Sequence, residues 1–194
     1  PTFKYLEPVE VLDDARGKVS LIQMVEKIDK AEVLFRIKTP AVKESLKGAA
    51  SQEILALSMS IDTARAIPGA ISSVNVDKGD LCLYIKGARV FLEKNAETAL
   101  SFLREGVLLE EEFKKLQEEY LGNYAGDPSP MDYTAKALGT MLFSNEYTKM
   151  DLYRGVQALT YEEYLTFWNE AFKVAFIEST FLGGISLEEV SSLM

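Results

Sequence analysis

A chain of 194 residues with 47% hydrophobic side chains is long enough to bury a sizeable core, and it contains no histidine. Without an imidazole, the Ser-His-Asp triad, the Cys-His pair and the H-x-x-E-H zinc site are all excluded. Lys and Arg total 21 against 30 Asp and Glu, a formal charge of -9 that repels phosphate backbones and anionic lipid, so neither nucleic acid nor a membrane is an expected partner.

Pro1 to Gly17 show no sustained periodicity, which predicts an irregular lead-in (1–17) ahead of a single ordered domain (18–194). Lys18 to Lys27 and Ala31 to Lys38 are rich in Val, Ile, Leu and Phe and are joined tightly at Ile28-Asp29-Lys30. The second run alternates Val33, Phe35 and Ile37 with Glu32 and Arg36, the pattern of a half-buried strand. Thr39-Pro40 ends it. From about Lys43 to Ala66, Leu46, Ala50, Ile54, Leu57 and Ile61 recur at helical spacing until Pro68-Gly69 stops them.

Ala70 to Val76 and Asp80 to Lys86 then form a predicted hairpin, because Gly79 in the Asp77-Lys78-Gly79 connection can take the positive φ that tight turns need. After Gly87 a helix carries Leu92, Ala96, Ala99, Leu100 and Leu103 on one face. After Gly106 a second carries Leu109, Phe113, Leu116 and Tyr120. Asp127-Pro128-Ser129-Pro130 is a break followed by a helix start, with Ser129 as cap, and Ala137, Leu138, Met141 and Leu142 as the apolar face. Asn145 to Asp151 is a polar connection. Thr160-Tyr161-Glu162-Glu163 is a capping box that opens a helix burying Leu165, Trp168 and Phe172. Val174 to Leu182 returns to alternation and ends at Gly183-Gly184. The expected class is α+β: a largely antiparallel or mixed sheet of about five to six strands, with helices packed on one face.

Few residues invite chemistry. Cys82, the single cysteine, lies in an apolar strand with no histidine or CxxC partner to activate it and reads as an inert buried thiol. Gly183-Gly184 lacks the lysine and spacing of a phosphate loop and reads as a turn. Tyr120, Tyr124, Tyr133, Tyr147, Tyr153, Tyr161 and Tyr164 are expected to pack along helices, with contact to a peptide or a sister domain as the second reading. Asp127, Asp132 and Asp151 do not match a calcium-loop spacing. No catalytic, cofactor-binding or metal-ligating residue is assigned.

The order of these elements and several strings resemble the insulinase/pitrilysin zinc metallopeptidases. Gly79-Asp80-Leu81-Cys82-Leu83-Tyr84-Ile85-Lys86-Gly87 is similar to the family's hairpin strand, and Glu111-Glu112-Phe113-Lys114-Lys115-Leu116 to the acidic-plus-phenylalanine entry into a long helix. Leu159-Thr160 to Leu165, then Gly183-Gly184-Ile185-Ser186, fit the family's closing segment. The resemblance implies repeated homologous α+β domains enclosing a chamber in which peptides are cut, with zinc bound in the first domain by H-x-x-E-H and a distant glutamate. This chain departs from that pattern: Gly48-Ala49-Ala50-Ser51-Gln52 stand where the histidines would be. Glu112 and Glu119 lie on the helix that supplies the third ligand, near Glu119 by this matching, and two carboxylates cannot replace the imidazoles.

The resemblance therefore implies a non-catalytic repeat, most simply the third domain, whose partners are other domains of the same polypeptide and the peptide substrates. No cofactor is expected in this chain, and zinc only in the parent enzyme. A free-standing α+β interaction domain is the alternative. Ser186-Leu187-Glu188-Glu189 is a further capping box with only five residues after it, which suggests a domain trimmed within its last helix.

Overall fold

The computed structural model describes residues 7–13, 15, 17–23, 29–39, 45–67, 69–105, 107–124, 147–171, 173 and 175–192. Six strands form one mixed sheet: β1 (Val9–Asp13), β2 (Gly17–Gln23), β3 (Lys30–Lys38), β4 (Ile71–Asp77), β5 (Asp80–Ala88) and β6 (Phe176–Gly183), in the order β1-β2-β6-β3-β5-β4. Only the β2–β6 pair is parallel. Among the described residues six helices accompany it: α1 (Leu46–Ala66), α2 (Leu92–Glu105), α3 (Glu110–Tyr124), α4 (Lys149–Ala158), α5 (Tyr161–Ala171) and α6 (Leu187–Ser192), with a 3-10 turn at Arg89–Phe91. This is the α+β class expected from the chain. The helix expected from Ser129 through Leu142, and Phe172, lie outside the described residues.

The period-2 patterns fix which face each strand buries. Val33 lies between Ile85 and Phe181, and Phe35 between Leu83 and Ser179, so Ala31, Val33, Phe35 and Ile37 continue a row through Leu81, Leu83 and Ile85 on one side and Val19, Leu21 and Phe181 on the other. All ten are at most 6% exposed and join the buried helix residues in a single core. At the β4–β5 turn both Lys78 (φ 53) and Gly79 (φ 77) are left-handed, the two-residue geometry that matches the twist of paired strands. Lys78 adopts it despite its Cβ, at a cost of about 1 kcal/mol.

Helix α1 starts where Ser45 Oγ accepts a hydrogen bond from the Gly48 N–H (3.0 Å), and its buried side includes Ala49, Ala50, Ile54, Leu55 and Met59. The expected capping box at Thr160 is present: Thr160 Oγ1 accepts from the Glu163 N–H (3.3 Å), and Glu163 Oε2 accepts from the Thr160 N–H (3.1 Å).

Two expectations are corrected. The segment 1–17 is not wholly irregular, since Val9–Asp13 is an edge strand paired antiparallel with β2. A register shift between Glu10 and Leu12 puts Val9 opposite Leu21 and Leu12 opposite Val19, and the adjacent Val11 and Leu12 both pack against the core, so the period-2 signal is erased. Asn145 to Asp151 is also not merely a connection, because α4 begins at Lys149. Thr148 Oγ1 accepts from the Asp151 N–H and Asp151 Oδ2 accepts from the Thr148 N–H, both at 3.1 Å, a capping box built with a shorter carboxylate than the usual glutamate.

Candidate functional site

The first turns of α1 are where the family resemblance would put a zinc ligand set, and there the structure places packing contacts. Gly48, Ala49, Ala50, Ser51 and Gln52 are all buried, Ser51 and Gln52 to 0% and 1% exposure. With its amide turned to suit its neighbours, Gln52 donates to the Gly79 carbonyl and accepts from the Leu81 N–H, each at 3.2 Å. The side chain at the last position of the H-x-x-E-H register therefore clamps the β4–β5 turn to α1.

Helix α4 closes the site from the other side. A Cβ on Gly155 would meet Leu46 Cγ at 3.1 Å and Ala50 Cβ at 3.2 Å, so a larger residue there would require α1 and α4 to give by a few tenths of an ångström. Gln117 on α3 holds α4 by its C-terminal end, its Nε2 donating to the Val156 (2.6 Å) and Leu159 (2.9 Å) carbonyls. At this helix end the Val156 carbonyl also accepts from the Leu159 N–H (3.2 Å).

The two carboxylates on α3 have other work. Glu112 Oε2 accepts from the Leu109 N–H (2.9 Å) and so caps its own helix, and Glu119 is exposed on the outer side. Among the described residues no three His, Cys, Asp or Glu side chains converge as a metal-ligand group. Cys82 is buried, which pushes its thiol pKa up and keeps it protonated at neutral pH. Gly183 (φ 119) ends β6 with no room for a Cβ, which would lie 2.6 Å from the Lys30 carbonyl oxygen; the Gly184 N–H donates to that same oxygen. The glycine pair is a turn locked onto β3.

The tyrosines divide. Tyr120 and Tyr164 are buried, Tyr161 donates to the Leu108 carbonyl (2.8 Å), and the Phe113 ring lies 5.8 Å from Tyr161 and 5.3 Å from Tyr164, centroid to centroid. Burial pushes the Tyr164 hydroxyl pKa far up. Tyr147 and Tyr153 are half-buried, whereas Tyr133 and the Tyr124 side chain lie outside the described residues, as do Asp127 and Asp132. Asp151 is spent on the α4 cap.

One arrangement was not foreseen from the chain. The sheet face opposite the core carries a ladder of ion pairs drawn from all six strands: Lys18 to Glu10 (2.6 Å), Lys38 to Glu178 (2.6 Å), Arg36 to Asp77 (2.8 Å) and Asp80 (3.4 Å), and Lys86 to Glu32 (2.6 Å). Tyr84 adds its hydroxyl to Glu32 (2.7 Å). Partial burial pulls the Glu32 carboxyl up, but the Lys86 and Tyr84 hydrogen bonds outweigh it and hold the pKa below the ordinary glutamate value. The partners are 44 to 140 residues apart for Arg36–Asp80 and Lys38–Glu178, so no local pattern could pair them.

A mixed sheet with one helix-packed face and one ion-paired face defines a scaffold of the two-layer α+β kind. Its fold is similar to that in the crystal structure of pitrilysin, with a TM-score of 0.77 and 13% sequence identity over 100% of this chain and 22% of that one. The chain spans about a fifth of that neighbour's length, and at this identity the likeness is one of fold. No family model matches the chain, and no curated protein matches it in sequence.

Proposed function

We propose that this chain is a non-catalytic structural and substrate-chamber domain of an insulinase-like zinc metalloendopeptidase. The observation that carries the reading is the fold likeness to pitrilysin, which extends over the whole chain but only a fraction of the neighbour. The chain's lack of histidine, and the use of Ser51 and Gln52 as buried packing residues, support a repeat that keeps the architecture without the zinc chemistry. Zinc then belongs to another domain of the parent protein. The partners are those other domains and the peptides they enclose. A chamber wall of this kind adds contacts remote from the cleaved bond, and contacts made more strongly in the transition state raise turnover. No described helix is long and apolar enough to cross a membrane.

The deciding experiment reads the full polypeptide and its stable complexes in the native cell. Purification through a tag on this chain should bring down an H-x-x-E-H α+β repeat, in cis or in trans, with chelator-sensitive peptidase activity. The purified 194-residue chain should show neither stoichiometric zinc nor such activity. Recovery of the chain alone, with no H-x-x-E-H repeat in its polypeptide, would overturn the reading and favour a free-standing interaction domain. Chelator-sensitive cleavage by the isolated chain would overturn it in the other direction.

A further inference from the structure

Among the described residues the sheet ends in β1 and β4, and of these two edges only β1 is protected. β1 is five residues long, is broken by the register shift after Glu10, and carries Glu10 and Asp13, both paired with Lys18. Short length, a bulge and charge are the devices that keep an edge from pairing with another chain. β4 is longer and unbulged, and its charge is confined to one end. Its seven residues, Ile71-Ser72-Ser73-Val74-Asn75-Val76-Asp77, pair with β5 without a break, contain no proline, and bear their only charge at the last position. Among the described residues, α1 packs against β4 and no strand lies beyond it.

We infer that β4 is the interface through which two copies of this chain join, antiparallel about Val74, to make one continuous twelve-stranded sheet. The occupant follows from the strand's own sequence. Residues directly opposite in an antiparallel pair share a face, so a two-fold axis at Val74 uses all seven residues and sets Ile71 against Asp77, Ser72 against Val76 and Ser73 against Asn75. No like charges meet, because each Asp77 falls opposite the partner's exposed Ile71. On the core side Val74 and Val76 extend the apolar row across the axis, while Ser73 and Asn75 give two polar pairs on the open side. The arrangement closes on itself, since among the described residues the edges that remain are the two copies of bulged β1; the result is a dimer and not a fibre. Pairing of one short strand buries less than a standard interface, so the association is weak. Two chains of net charge -9 also repel, and salt should strengthen the dimer by screening that repulsion.

Sedimentation equilibrium of the 194-residue chain over about 10⁻⁶ to 10⁻³ M tests this. The average mass should climb toward twice the monomer's, more so at high salt. Ser73→Lys combined with Asn75→Lys puts two ammonium groups opposite each other on either side of the axis and should weaken association roughly tenfold or more. Ser73→Lys combined with Asn75→Glu sets opposite charges in the same places and should restore it. Both positions are exposed, so circular dichroism should show the fold intact in each variant. A wild type that stays monomeric throughout overturns the inference. So does a dimer that ignores the Lys/Lys change, or one that the Lys/Glu pair fails to restore.

Discussion

The same residue type on neighbouring strands meets two different fates in this sheet. Leu83 on β5 faces the helices and is 0% exposed, whereas Leu34 on β3, one register position from Leu83's partner Phe35, faces the other way and is 36% exposed. The core face is held by area: Val33, Phe35, Leu83, Ile85 and Phe181 lock together, with Phe35 and Phe181 edge to face at 6.2 Å. The open face is held by charge pairs, in which no side chain is fully sequestered except Asp80, at 5% exposure. Burial is non-directional and large, and exposed ion pairs are directional and small, so one face supplies stability while the other supplies a patterned surface.

That contrast is broken most sharply by truncating the two leucines. Leu83→Ala should cost about 2–5 kcal/mol in chemical denaturation, from lost transfer energy and the cavity left among Phe35, Val74 and their neighbours. Leu34→Ala should cost less than about 1 kcal/mol. Equal losses would mean that the open face is covered in solution.

Gln52→Ala asks how far the polar clamp in the helix-packed face matters. Removing the amide strands the Gly79 carbonyl and the Leu81 N–H, and leaving buried polar groups unpaired costs about 1–3 kcal/mol. The loss should be concentrated at the hairpin, with hydrogen exchange at Leu81 accelerating more than at Val33. Uniform acceleration would show that Gln52 serves global packing instead.

Much of the helix-packed face was legible in the chain. The alternation of Val33, Phe35 and Ile37 named the inward row of β3, the spacing of Ala50, Ile54 and Leu57 found α1, and the glycine at 79 marked the hairpin, because each signal is local and periodic. Two features failed for physical reasons. The register shift in β1 sets the adjacent Val11 and Leu12 against the core as no regular strand would, and the contact position of α4 is a glycine, Gly155, which carries no hydrophobic signal. The missing histidines are visible in the chain at once, whereas the hairpin clamp by Gln52 needs the fold. The ion-pair ladder was illegible altogether. Glu178 meets Lys38 only because β6 inserts between β2 and β3.

The smallest expected effect lies on the open face and depends on pH. Lys86 and Tyr84 hold the folded-state pKa of Glu32 below its ordinary 4.5, so its contribution is fully present above that value and disappears as pH falls through the lower, folded-state pKa. Glu32→Gln should therefore destabilise the protein by less than about 1 kcal/mol at neutral pH, and by progressively less in acid, until variant and wild type coincide. Salt should narrow the difference at neutral pH, since Lys86 and Glu32 are both partly exposed. The cost of Leu83→Ala should stay constant over the same acid range, because no ionisable group is lost with it. Stability curves for both variants from pH 7 downward would separate the faces by mechanism: a Glu32→Gln penalty that persisted below its titration would assign the pair's contribution to shape and hydrogen bonding, not to charge.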